Sequence, residues 1–407
     1  MEKSYLRLNF LKFTSAICAI LFSCNSFSQT NFGWIEKGGF PGPARHRAIG
    51  ASVGNRGYMG LGHINSVFDV LFDDWFEYDP GTDTWSQKAN FPGGPRMHPT
   101  AFVIANKIYV GTGRDVNTTL YNDFYCYDPA TNMWVSIAPF PGAPRRGAVA
   151  FTLNGLGYVG TGSYHSNFYK YDPATDSWAS VQNLPGTGRI SAVACAINGK
   201  GYLSTGDDGG PNNDMWEYDP TLNSWTAKAT LPGLPRMEAC GFAMGGKFFV
   251  GTGDDFSSGT NYQDFWSYDP VTDSWLQLGD FAGAARRYMS SFVIGNRAYT
   301  SLGTSGINYA DLWEFGSISG IEENTNDNNN LTVYPNPIID VATIHFSSSV
   351  KNASLILTGI EGKRIWIVNS VSGDQFQFEK NNLASGIYFL QLNEPGKNSV
   401  TKKICLQ

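Results

Sequence analysis

A tryptophan returns six times along this chain at nearly constant spacing. Trp34, Trp85, Trp134, Trp178, Trp225 and Trp275 are separated by 51, 49, 44, 47 and 50 residues. Each opens a block of one pattern. A (Pro)-Gly-x-x-Arg follows after six or seven residues, then an apolar run, then a second run. Four of these second runs end in Thr-Gly: Gly111-Thr112-Gly113, Gly160-Thr161-Gly162, Ser204-Thr205-Gly206 and Gly251-Thr252-Gly253. An aromatic run then leads into Tyr-Asp-Pro, at Tyr78, Tyr127, Tyr171, Tyr218 and Tyr268, and degrades in the sixth copy to Trp313-Glu314-Phe315-Gly316. A period of 44–51 residues carrying about four short strands is the sequence signature of a propeller blade. Such units bury their apolar faces only against one another, so the chain must close into a ring.

Composition agrees. With 46 Gly, 14% aromatics and only 16% charged residues in 407, the chain is unsuited to long exposed helices or to disorder. The net charge of -6, with no Lys/Arg run, lacks the basic footprint of a nucleic-acid binder. Of six cysteines, Cys126, Cys195, Cys240 and Cys405 fall in different blocks with no matched spacing, and read as small buried apolar residues rather than a disulfide framework or a metal site.

The block pattern over roughly 34–316 resembles the kelch repeat, with Thr-Gly in place of the family's Gly pair. The resemblance implies an all-β fold: a six-bladed kelch-type β-propeller over 29–316. Because the repeats begin at a fourth strand (near Trp34) and end after a third (near Trp313), the N-terminal strand is expected to complete the last blade. In Asp-Pro-x-x-x-x-Trp, Pro presets φ and Asp bonds the following backbone, which makes a tight turn. Arg45, Arg96, Arg145, Arg189, Arg236 and Arg286 recur in all six blocks. A residue needed by every blade reads as structural, and inter-blade hydrogen bonding is the expected role.

Both ends read as addresses. Lys3, Arg7 and Lys12 precede the apolar stretch Phe13 to Phe22 and the small residues Ser26-Phe27-Ser28. This is the layout of a signal peptide over 1–28, with cleavage expected between Ser28 and Gln29. A lipoprotein signal ending at Cys24 is the competing reading. No other segment is apolar and long enough to span a bilayer as a helix. Residues 317–330 are polar and Asn-rich, and read as a linker. After them, seven short alternating runs in 331–407 fit a small C-terminal β-sandwich. Tyr334-Pro335-Asn336-Pro337, the turn Gly359-Ile360-Glu361-Gly362-Lys363, the run Leu383-Ala384-Ser385-Gly386-Ile387-Tyr388 and terminal Lys402-Lys403-Ile404 resemble, in order, the C-terminal sorting domain of the type IX secretion system of Bacteroidota. That implies recognition by the type IX secretion machinery, with delivery to the cell surface or the medium.

The repeats also compare loops internally. The Asp-Pro turns are uniform, so that face reads as structural. The opposite face, built from fourth-to-first and second-to-third loops, varies in length and composition as a binding surface on a rigid scaffold does. Two residues after each recurrent Arg, at the channel mouth, stand Arg47, His98, Gly147, Ser191, Glu238 and Tyr288. Arg47, His98, Glu238 and Tyr288 are the expected central contacts, joined by His63. Asp207, Asp208, Asp254 and Asp255 are expected as solvated carboxylates at the rim. His46, His63, His98 and His165 all map to this face, but no spacing fixes two of them as metal ligands.

These readings point to an exported binding module for a protein or glycan, acting as a monomer with no cofactor. The alternative is a carbohydrate-active enzyme, because kelch architecture also serves sialic acid mutarotases and copper radical oxidases such as galactose oxidase. Cys126, between Tyr125 and Tyr127, reads as core rather than as a crosslinked copper site. No G-x-S-x-G, H-E-x-x-H or P-loop occurs.

Overall fold

The computed structural model describes residues 32–65, 69–256, 258–317, 331–359, 364–395 and 400–406. The expected signal peptide, its Ser28/Gln29 cleavage point and nearly all of the linker lie outside these residues.

Six four-stranded antiparallel sheets follow one another around a ring. Blade one is Ile49–Val53, Arg56–Gly60, Trp75–Asp79 and Thr84–Gln87; blade two is Thr100–Ile104, Lys107–Gly111, Phe124–Asp128 and Met133–Ile137. Blades three, four and five repeat the pattern from Val149, Val193 and Cys240. Blade six is composite. Ser290–Ile294, Arg297–Ser301 and Leu312–Ser317 are completed by the N-terminal strand Phe32–Lys37, which pairs antiparallel with Leu312–Ser317 from Phe32↔Ser317 to Lys37↔Leu312. The expected closure is present.

Recurrent side chains fasten the blades, with Leu184 and Leu231 standing where other copies have Phe. The Phe before Pro-Gly meets the fourth-strand Trp edge to face: Phe40 with Trp85, Phe91 with Trp134 and Phe140 with Trp178, at centroid distances of 5.2–5.4 Å. Such pairs contribute about 0.5–1.5 kcal/mol beyond the area they bury. The indole N–H of Trp134 then donates to the Ala89 carbonyl at 2.8 Å, and Trp178 to Ala138 at 2.9 Å, tying the outer strand to the segment leading in from the preceding blade. In the Tyr-Asp-Pro turns Asp79 Oδ1 accepts from the Gly81 N–H at 2.9 Å, as the motif predicts. The residue four places after that Asp, always Asp or Asn, adopts positive φ (Asp83 55°, Asn132 55°) and accepts from the Tyr hydroxyl (Tyr78 to Asp83 2.7 Å; Tyr127 to Asn132 2.8 Å).

The recurrent arginines divide their work differently from the expectation. Each guanidinium bonds within its own blade, chiefly to a residue just before the third strand: Arg45 to Asp74, Arg96 to Asp123, Arg145 to Asn167, Arg189 to Asp214, Arg236 to Asp264 and Arg286 to Asp311. The inter-blade bond comes from the arginine's backbone carbonyl. It accepts from the Gly closing the preceding blade's second strand, as in Gly113 N–H to Arg145 C=O at 2.8 Å and Gly303 to Arg45 at 2.9 Å. Gly113 sits at φ +99°, with the Met97 carbonyl 2.9 Å from where a Cβ would stand, so Gly is required there.

The C-terminal region has its own core, including Leu331, Ile344, Leu355, Leu357, Leu390 and Ile404. Five strands replace the seven expected, Leu331–Tyr334, Val341–Gly359, Arg364–Glu379, Gly386–Asn393 and Val400–Leu406. Val341–Phe346 and Ser354–Leu357 fuse into one strand, and Arg364–Val368 and Gln375–Phe378 into another, because bulges near Val350 and Ala353 bend the pair without breaking it. The bulges switch the buried parity from Ala342, Ile344 and Phe346 to Ala353, Leu355 and Leu357, so the bent sheet encloses one core. Asn336 of the Tyr-Pro-Asn-Pro motif accepts from the Cys405 N–H at 2.8 Å, and the Tyr388 hydroxyl donates to the Ala384 carbonyl at 2.8 Å. The turn residues Ile360–Lys363 lie outside the described residues.

Candidate functional site at the channel mouth

The six positions two residues after the recurrent arginines form a closed hydrogen-bonded ring. His98 N–H donates to the Arg47 carbonyl (2.9 Å), Gly147 to His98 (3.1 Å), Ser191 to Gly147 (3.1 Å), Glu238 to Ser191 (3.1 Å), Tyr288 to Glu238 (2.9 Å) and Arg47 to Tyr288 (3.4 Å). All six take positive φ, between 53° and 62°. Five of them are not glycine, and a left-handed conformation costs such residues free energy. The ring consumes the backbone polar groups, so what it offers at the mouth is side chains.

Those side chains converge. The Arg47 guanidinium lies 4.0 Å from the Tyr288 ring centroid, donates to the Tyr288 hydroxyl, and reaches His63 Nε2 at 3.2 Å. The His98 and Tyr288 rings are 4.9 Å apart, and those of His46 and His63 are 4.2 Å apart. His46 and His63 meet because their backbones pair across two loops, N–H to carbonyl in both directions at 3.0 and 2.9 Å. His46 Nδ1 contacts Asn308 Oδ1 at 2.9 Å, leaving Nε2 unpartnered. Burial and neighbouring cations hold these imidazoles neutral: His46 is lowered to about 3, His63 to about 4 and His98 well below its ordinary value.

Across the mouth, one cation serves two buried carboxylates. Arg287 Nη1 is 2.6 Å from Asp254 Oδ2, and its Nε is 3.4 Å from Glu238 Oε2. Glu238 is 6% exposed and Asp254 fully buried. Burial, then the Asp254 charge, raises Glu238 to about 8 despite Arg47 and Arg287, so it is largely protonated at neutral pH. Burial raises Asp254 as well, against its direct bond to Arg287.

The expected central set Arg47, His98, Glu238, Tyr288 and His63 is therefore gathered in one place. Asp207, Asp208 and Asp255 lie at the rim. There Asp207 accepts from Tyr164 at 2.6 Å, Asp208 from Thr187 at 2.6 Å, and Asp255 from Ser258. Asp254 departs from expectation. It is a buried partner of Arg287, whose guanidinium reaches it from the next blade. His165 stays apart, near Arg145 rather than with the other histidines. Arg114, Arg146 and Arg287 escaped the sequence reading. For Arg146 and Arg287 the signal was the position just after the recurrent Arg, which reads His46, Met97, Arg146, Ile190, Met237 and Arg287; for Arg114 it was the position just after Thr-Gly.

The residues do not fit a copper radical site. Cys126 is packed with Phe102, Phe124 and Phe140 in the core between blades, and among the described residues no group of three or more His, Cys, Asp or Glu is placed to hold a metal. Cys126, Cys195, Cys240 and Cys405 are all unpaired. Among the described residues no helix is long and apolar enough to cross a membrane.

The sequence matches the Kelch motif over residues 95–141 and the Secretion system C-terminal sorting domain over residues 332–407. The chain is a six-bladed β-propeller with a Kelch motif, followed by a secretion system C-terminal sorting domain. Among solved structures, that of YjhT covers 67% of this chain and 95% of its own length, with 21% identity and a TM-score of 0.57, and supports the propeller fold. No curated protein matches the chain. The sorting domain marks this kelch propeller for export and for contact with the secretion machinery.

Proposed function

We propose that the protein is an exported kelch binding module, delivered by the type IX system to the cell surface or medium, which captures a glycan or protein ligand at the channel mouth. One observation carries the reading. Buried polar atoms without hydrogen-bond partners line the mouth: His46 Nε2, His63 Nδ1, His98 Nδ1, Arg47 Nε, Arg114 Nε and Asp254 Oδ1. Buried polar groups are normally satisfied, and a ligand that satisfies them in the bound state explains why they are kept. The test is a glycan and surface-protein array probed with the protein and with an Arg47→Ala/His98→Ala/Tyr288→Ala variant of matched melting behaviour. The variant should lose the captured ligand; undiminished capture refutes the site.

A second reading rests on Glu238. A carboxylic acid raised to about 8 beside Tyr288 and Arg287 suits proton transfer to a sugar ring oxygen near neutral pH. An anomer-interconversion assay on acidic and neutral sugars, lost in Glu238→Gln, separates this carbohydrate-active reading from simple capture.

A further inference from the structure

We infer that the channel mouth seats a polyanionic glycan, its carboxylate or sulfate groups held by Arg47, Arg114 and Arg146. The inference rests on the binding reading above and names the ligand class for it.

Nine arginines stand in or beside the loops of this face in the first three blades and in the recurrent positions, and they fall into two kinds. The six recurrent ones each have a carboxylate or amide partner. Arg47, Arg114 and Arg146 have none: among the described residues, no ion pair to a carboxylate joins any of the three. Arg47 and Arg114 each rest 3.9 Å from the same Met97 sulfur, which brings their guanidinium groups together. Each of the three feels at least one of the others as a like charge. Glu238, Asp254, Asp69 and Asp115 are the opposite charges near them; Glu238 and Asp254 are held by Arg287, and Asp115 is already engaged by Thr119 and Tyr121 at 2.8 and 3.0 Å. Self-repelling cations in a protein of net charge -6 are destabilising unless something anionic joins them.

Position adds the second half of the case. The three arginines come from blades one, two and three, so they form an arc along one side of the mouth. An arc of three guanidinium groups exceeds what one carboxylate can engage, and suits a ligand that repeats its charge. The other side, from blades four and five, presents acceptors: Asp254 Oδ1 and Asp207. Sugar hydroxyls satisfy acceptors of this kind. A poly-glutamate chain has no hydroxyl groups to donate to these acceptors.

The full chain is titrated calorimetrically with dextran sulfate, oligogalacturonate, unmodified dextran and poly-glutamate. Sulfated or uronate glycan should bind, with the two arms telling which anion is preferred, while dextran binds at least about tenfold more weakly. Arg114→Gln/Arg146→Gln should weaken binding by about tenfold or more and flatten its salt dependence. Arg56→Gln, in the hairpin on the opposite face, should leave it unchanged. Equal binding of poly-glutamate overturns the glycan assignment, and unchanged affinity in the double variant overturns the anion site. Loss of capture in Arg47→Ala/His98→Ala/Tyr288→Ala but not in Arg114→Gln/Arg146→Gln would leave the binding face standing and remove only this inference.

Discussion

Arg145 bonds an amide where its five counterparts bond a carboxylate. Its Nη1 lies 2.8 Å from Asn167 Oδ1 and 2.7 Å from the Thr161 carbonyl, while its Nη2 is buried without a partner. Burial then lowers Arg145 to about 10. In blades four, five and six the same position holds both guanidinium nitrogens against Asp214, Asp264 and Asp311. Asn167→Asp should therefore restore a bidentate pair and stabilise the propeller by about 1–2 kcal/mol. Thermal unfolding should rise by a few degrees, and a lower melting temperature would refute this account of the recurrent arginine.

Ring closure depends on one strand from far away in sequence. Phe32–Lys37 supplies the outer edge of blade six, and Trp34 packs against Phe281 at 4.9 Å and Phe265 at 5.0 Å. Deleting residues 31–45 exposes the Leu312–Ser317 edge and removes these contacts. The truncate should melt earlier and over a wider range than the parent. A milder Trp34→Ala change should cost about 3 kcal/mol, the low end for a core aromatic because Trp34 is half-buried. Cooperative melting of the truncate at the parental temperature would show that the strand is dispensable.

The blades were legible because one sequence is written six times. Recurrence exposed the tight turns, the Trp positions, the ring-forming residues and the composite blade. The partner of each recurrent Arg was also visible, as an Asp or Asn four residues before the repeat's Tyr (Asp74, Asp123, Asn167, Asp214, Asp264), although only the structure showed that the bond stays within a blade. Non-recurring features were harder to read. Whether the residue at this position is solvated or buried depends on which side chain faces it: Asp254 and Asp207 make equivalent backbone pairings, but Asp254 is buried against Arg287 and Asp207 is not. His46 and His63 are 17 residues apart and meet through a backbone pairing that recurs at that spacing in other blades, such as Met97 with Arg114, but only in this copy are both positions His. In the sorting domain, strand fusion turned on bulges, where a break and a bend look alike in a hydrophobic pattern.

The mouth should also give the fold a stability maximum near pH 6.5. His46, His63 and His98 are held below their unfolded value of 6.5, so below that pH the unfolded chain binds protons that the fold refuses. Their contribution is present above pH 6.5 and is lost as pH falls toward about 4. Glu238 has the opposite sign. Raised from 4.5 to about 8, its contribution is present below pH 4.5 and is lost as pH rises through 8. Three histidines outweigh the raised carboxyl groups on the acid side, and on the alkaline side Glu238 acts with Asp254, which burial raises in the same sense. Denaturant midpoints measured from pH 4 to 9 should peak near 6.5, and Glu238→Gln should flatten the decline between 6.5 and 8. A decline unchanged in that variant would assign the alkaline loss to other groups.

The C-terminal region should work as a transferable export signal. Its core from Leu331 to Leu406 is self-contained, and Asn336 near its start is fastened to its last strand through Cys405 and the Lys403 carbonyl. Lys402 and Lys403 lie on that same strand. A reporter fused ahead of residues 317–407, behind a signal peptide, should reach the surface or medium of a host with the type IX system and stay in the periplasm of one without it. Asn336→Ala should reduce delivery by loosening both ends together, whereas Thr332→Ala, on the first strand and away from that junction, should not. Equal release with and without the secretion system would refute the export role of this domain.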